Sequence, residues 1–161
     1  MDRDDALAVI EQLHSAQARL YTDGDASAVL AALHPAITWH VPGTSPIAGS
    51  YRGLDAVVSY MLARRALADG TFRMHRLDVL TGSGSTLAVL TDGTATIDGA
   101  ERRWSTVGLY RVDAGRVAEC WLLPLDQAEF DDIWTPAPDQ RPERRGKPPR
   151  SRPVRGSARD G

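Results

Sequence analysis

Ile37-Thr38-Trp39-His40-Val41-Pro42-Gly43-Thr44-Ser45-Pro46-Ile47-Ala48-Gly49-Ser50-Tyr51-Arg52-Gly53 opens as a strand and continues as a loop. β-Branched and aromatic residues fill Ile37 to Val41, the composition of a half-buried strand. Pro42-Gly43 cuts the strand, Pro46 and Gly49 keep the chain irregular, and Gly53 releases it into a helical pattern. Trp39 and His40 therefore sit where a rigid element meets a loop, a place that both aims a side chain and leaves it accessible.

On the N-terminal side, Asp4 to Tyr21 has the spacing of an amphipathic helix, with Leu7, Ile10, Leu13, Leu20 and Tyr21 near one face. Thr22 to Asp25 stops it. Asp25 is placed to cap a short second helix, Ala26 to Leu33, which His34-Pro35 ends because a residue before proline avoids the helical region. On the C-terminal side, Leu54 to Leu67 is predicted to be a third helix. Leu54, Val57, Val58, Met61, Leu62 and Ala66 form its buried stripe; Asp55, Ser59, Arg64 and Arg65 face out.

The period then changes to two. Phe72–Leu80, Thr86–Ile97, Arg102–Val112 and Arg116–Leu123 read as four strands. They are separated by Gly82-Ser83-Gly84, Asp98-Gly99 and Asp113-Ala114-Gly115, all suited to hairpins. Helices early and strands late predict an α+β domain: three N-terminal helices packed on a curved antiparallel sheet. Leu125 to Trp134 is a last short helix with Phe130, Ile133 and Trp134 on its apolar side.

The balance of 42% hydrophobic and 25% charged residues suits one soluble domain, placed at residues 1–135. Residues 136–161 hold six of the ten prolines and eight Arg or Lys against three Asp or Glu, leaving 11 against 18 before them. With Val154 as its one large aliphatic, this stretch cannot offset chain entropy by burial and is expected to be a disordered basic tail. Its charge could meet nucleic acid or an acidic partner; a solubilising extension is the simpler reading, and no nucleic-acid partner is expected. The single cysteine, Cys120, rules out an internal disulfide. No signal peptide or membrane-length apolar run is visible, so a cytoplasmic location is expected. No metal-ligand spacing, phosphate loop or cofactor motif is present, and none of these groups is expected.

Trp39-His40-Val41-Pro42-Gly43 and Ser45-Pro46-Ile47-Ala48-Gly49-Ser50-Tyr51-Arg52-Gly53, with Gly115-Arg116-Val117-Ala118-Glu119 and Asp126-Gln127, resemble the SnoaL-like group of the nuclear transport factor 2-like superfamily. Ketosteroid isomerase and the polyketide cyclases are its relatives. The resemblance spans about Asp4 to Trp134 and implies a cone with a cavity between helices and sheet. Matched position by position, His40 stands where ketosteroid isomerase carries its proton-moving aspartate. Gln17 and Gly108 stand at its two oxyanion-hole positions, so this chain departs from that enzyme at all three.

The resemblance thus makes His40 the candidate catalytic group, because imidazole can accept or donate a proton near neutral pH. Val41, Pro42 and Trp39 around it predict a partly dry setting that lowers its pKa. Candidate substrate-binding residues are Gln17, Trp39, Tyr51, Tyr60 and His75. Trp104, Thr106 and Tyr110 join them from one strand face, and Cys120 and Leu122 from another. Core or dimer-face packing is the competing reading for the Trp and Tyr residues. His14 and His34 read as helix-surface and helix-end residues. Trp121 and Leu123 point the other way, toward the partner of an expected homodimer. Two functions compete: cofactor-free isomerisation, cyclisation or dehydration of a hydrophobic, polyketide- or terpenoid-like metabolite, or plain binding and carriage of one.

Overall fold

The computed structural model describes residues 1–138. The expected tail, apart from its first three residues, lies outside the described residues.

Helix α1 (Arg3–Asp23) starts where the Asp2 carboxylate accepts the Asp5 N–H at 2.8 Å. It ends at Gly24, whose φ of 81° lets its N–H reach back to Leu20 O. Ile10, Leu13, Gln17, Leu20 and Tyr21 make its buried stripe. Helix α2 (Ser27–Ala32) is too short to persist alone in water, so packing of Val29 and Ala32 holds it. Asp25 accepts both the backbone N–H and the hydroxyl of Ser27, just ahead of the cap position that Ala26 occupies.

Strand β1 (Leu33–Val41) begins four residues earlier than composition suggested, because Leu33 already pairs in parallel with Val117. The register shifts before Thr38, so Pro35, which has no N–H to give, falls in the irregular part. Strand β2 (Gly49–Arg52) lies inside the stretch expected to be irregular; it pairs antiparallel with β1 from Val41↔Gly49 to Thr38↔Arg52. Helix α3 (Leu54–Leu67) follows. Strands β3 (Arg73–Thr81), β4 (Thr86–Ile97), β5 (Ala100–Asp113) and β6 (Arg116–Pro124) form the expected meander. Its two tight turns use positive φ at Asp98 and Gly99, and at Ala114 and Gly115, the handedness that matches strand twist.

The six strands run β2-β1-β6-β5-β4-β3. Four junctions are antiparallel; β1 and β6 are parallel, since the chain returns to β1 from the far end of the meander. Register shifts in the β3–β4 and β5–β6 pairs bend the sheet into the wall of a cone. Helices α1 and α3 cover its inner face. Helix α4 (Gln127–Trp134), capped by Asp126, closes one end with Phe130, Ile133 and Trp134. No described helix is long and apolar enough to cross a membrane.

One helix face departs from expectation. The buried residues of α3 are Val57, Tyr60, Met61 and Arg64, while Leu62 is 38% exposed and Ala66 is exposed. The buried stripe is rotated from the one that hydrophobicity alone predicts, because it includes a cation. Arg64 is only 6% exposed.

Candidate functional site

The strand period of two decides which half of Trp39-His40 meets the interior. Ile37, Trp39 and Val41 are buried against the helices; His40 points to the opposite face. There its Nδ1 lies 2.9 Å from Ser50 Oγ and its Nε2 3.1 Å from Glu119 Oε1, and its ring stacks on Trp121. Glu119 also accepts from Arg111. The dry setting expected for His40 is thus replaced by a carboxylate pair on the outer wall, and the ring does not line the cavity. His75 is exposed on the outer side as well, beside Arg73, Asp92 and Arg103.

The Pro42-Gly43 bend has a structural task of its own. Asp131 on α4 accepts the backbone N–H groups of Thr44 and Ser45 at 3.0 and 3.3 Å. Gly43 has φ of 100°, and a Cβ there would lie 2.1 Å from Asp131 Oδ1. Only glycine lets the loop come this close to the helix.

The cavity lies between α1, α3 and the inner faces of β1, β3, β4, β5 and β6. His14, Gln17, Trp39, Arg64, Phe72, Met74, Thr91, Gly93, Trp104, Thr106, Gly108, Tyr110 and Leu122 line it, and its volume is about 40 Å³. Six of the expected binding residues therefore meet in one place: Gln17, Trp39, Trp104, Thr106, Tyr110 and Leu122. Tyr51, Tyr60 and Cys120 pack behind the wall. Tyr51 stacks on Tyr60 at 4.7 Å and donates to Ile47 O, and burial holds the Cys120 thiol well above its ordinary pKa, which leaves it inert.

Two glycines shape the space. A Cβ on Gly93 would strike the Trp104 indole at 2.5 Å, and one on Gly108 the Tyr110 ring at 2.6 Å. Each ring occupies the space that a side chain at its glycine would need. The Gly108 position, matched to an acid in ketosteroid isomerase, is thus covered by the Tyr110 ring.

Two lining residues were not expected. His14 sits one turn before Gln17 on α1, and the two share a helix face. Burial, and secondarily the positive charge of Arg76, push its imidazole down to about 4, so it is neutral at pH 7. Arg76 in turn pairs with Glu11 at 3.4 Å. Arg64 enters from α3, four residues after Tyr60, whose hydroxyl accepts from it at 3.2 Å. Its guanidinium carbon lies 4.4 Å from the Phe72 centroid and 4.5 Å from that of Trp134, with Phe130 at 5.6 Å and Trp104 at 5.8 Å. No carboxylate among the described residues pairs with it. Burying a charge costs on the order of several kcal/mol, and a desolvated cation–π contact returns roughly 2 kcal/mol. Arg64 Nε, Gln17 Oε1, Thr106 Oγ1 and Trp39 Nε1 have no hydrogen-bond partner in the protein. A sequence signal for Arg64 did exist: it continues the Val57-Tyr60-Met61 spacing. Hydrophobicity alone argued against it.

The family of the SnoaL-like domain matches residues 15–120. The chain belongs to the SnoaL-like family. A SnoaL-like cone also accounts for the relatives. The uncharacterised protein Rv0034 of Mycobacterium tuberculosis (strain H37Rv) is 28% identical over 132 residues, covering 81% of this chain and 98% of its own. Bal32a, from a soil-derived mobile gene cassette, superposes with a TM-score of 0.71 at 22% identity, covering 81% of this chain and 98% of its own. A protein of unknown function with the nuclear transport factor 2-like fold, from Burkholderia pseudomallei, gives 0.64 at 21%, covering 84% and 99%. At these identities the structures establish the fold and leave the reaction to the site.

Proposed function

We propose that this SnoaL-like cavity takes one flat, hydrophobic, polar-tipped metabolite of polyketide- or terpenoid-like chemistry and moves a proton on it without a cofactor. The reaction class is isomerisation, cyclisation or dehydration. The proton carrier assigned by resemblance to His40 passes to His14, the one histidine lining the cavity among the described residues. The observation that carries the reading is this neutral imidazole beside Gln17 and Thr106 in an aromatic-walled space. A neutral imidazole can take a proton from a carbon next to a carbonyl and return it elsewhere. The second reading, a carrier without catalysis, draws support from Gln17 and Gly108 standing where the steroid enzyme has acids.

Proton exchange on a neutral probe tests the choice. With 2-tetralone in D2O, the protein is expected to accelerate exchange at C1 by about 10²–10⁴-fold, the usual reach of a positioned general base. His14→Gln is expected to abolish the acceleration and His40→Gln to leave it. Tryptophan quenching by tetralone without exchange selects the carrier. Neither quenching nor exchange defeats both.

The outer face supports a homodimer. Leu123 is 49% exposed beside Trp121 and His40 on a broad sheet surface, an apolar area of the kind that associates. Light scattering is expected to give twice the chain mass at micromolar concentration; a monomer overturns the dimer and leaves the cavity reading untouched.

A further inference from the structure

Arg64 is a buried cation that lines the cavity, and no carboxylate among the described residues answers its charge. Tyr60 takes one N–H, the Tyr21 hydroxyl lies beside the guanidinium, and aromatic faces take part of the positive charge, but none of these groups carries a negative charge. His14 is neutral, and Asp92 on β4 lies outside the cavity, where it accepts from the Ser105 hydroxyl at 2.6 Å. The cavity therefore carries one net positive charge in surroundings of low dielectric, where an anion is held far more strongly than in water.

We infer that the SnoaL-like cavity selects the anion of a flat organic acid, a delocalised oxyanion that docks on Arg64 while its ring lies among Phe72, Trp104 and Trp39. The inference rests on the proposed reading of this cavity as a small-molecule site and adds the charge of the ligand. One oxygen faces the guanidinium, and Gln17 and Thr106, whose side-chain oxygens have no hydrogen-bond partner in the protein, line the same space. In this chain the oxyanion is met by a fixed cation from α3, where the steroid enzyme uses neutral donors from other elements.

Two sources share this chemistry, a carboxylate and an acidic enol. The test is calorimetric titration of the full chain at pH 7 with 1-naphthoate and its methyl ester, and with 2-hydroxy-1,4-naphthoquinone and its methyl ether. The expected result is at least one anion binding tenfold or more tighter than its neutral partner; the pair that shows the preference identifies the source. Arg64→Met, close in volume, is expected to erase the preference, and Arg64→Lys to keep part of it. Equal binding of acid and neutral probe by the native protein overturns the inference without needing any variant to fold. A preference that survives in Arg64→Met overturns it too. If all four probes fail while 2-tetralone quenches tryptophan, the cavity reading stands and the anion falls; if tetralone fails as well, both fall.

Discussion

Trp134→Ala is expected to lower the unfolding free energy by about 3–5 kcal/mol, the range for removing a fully buried aromatic. Trp134 is 1% exposed, meets Trp104 edge-on at 5.2 Å and Phe72 at 5.8 Å, and lies under Arg64 at 4.5 Å. Its loss would open the floor of the aromatic box and leave the cation with one face fewer. The effect should reside in the ring and not in the indole N–H. Nε1 of Trp134 has no partner in the protein, so its removal sacrifices no hydrogen bond within the fold. Trp134→Phe is accordingly expected to cost under about 1.5 kcal/mol, as for volume-tolerant apolar swaps. Urea unfolding of the two variants checks this. Equal losses in both would mean that the N–H matters, and a loss below about 1 kcal/mol in the alanine variant, short of the usual cost of such a cavity, would mean that α4 does not seal the cone.

The parts of the fold with a strand-like pattern could be read in advance. Thr86 to Ile97, which partly alternates and partly runs apolar, is strand β4 over those same residues, with Leu87, Val89, Gly93, Ala95 and Ile97 on its buried face. Strand β2 could not be read that way. Gly49 and Ser50 have no strand preference, and the strand exists through its pairing with β1, a long-range fact that local composition cannot carry. The resemblance found the right strand for the site, but the side of that strand depends on register. Trp39 and His40 are neighbours in sequence and lie on opposite sides of the sheet. Arg64 was missed for a related reason. Burying a cation violates the pattern that defines a core face, so hydrophobicity moved it outward, and the violation marks the cavity. His14 was passed over as a surface residue because nothing in α1 alone shows that Met74 and Phe72 will cover it.

The histidine placement leads to an expected acid sensitivity. His14 titrates at about 4 in the folded protein against an unfolded value of 6.5. Between these values the unfolded chain binds the proton and the folded one does not, so stability must fall as the pH drops through this window. From pH 7 to pH 5 the single residue should remove about 2 kcal/mol, since a proton bound in one state alone is worth ~1.4 kcal/mol for each pH unit crossed. The groups facing His14 act in the same direction. Arg76 on β3 is the cation that adds to the effect of burial, and the neighbouring acid, Glu11, lies with Arg76. Asp25 and Asp78, whose pKa values are lowered from 3.8 by hydrogen bonds to Ser27 and Arg3 respectively, lose their contribution only below that value, outside the window. Replacing His14 with glutamine should therefore flatten the stability profile between pH 7 and 5 relative to the native protein. Parallel profiles would show that the imidazole is not held neutral, and the proton-carrier role would go with it. Linkage adds a second signature. An anion docked on Arg64 favours the protonated ring, so a bound organic acid should raise the pKa of His14 and shrink the acid loss, an effect a neutral ligand cannot produce.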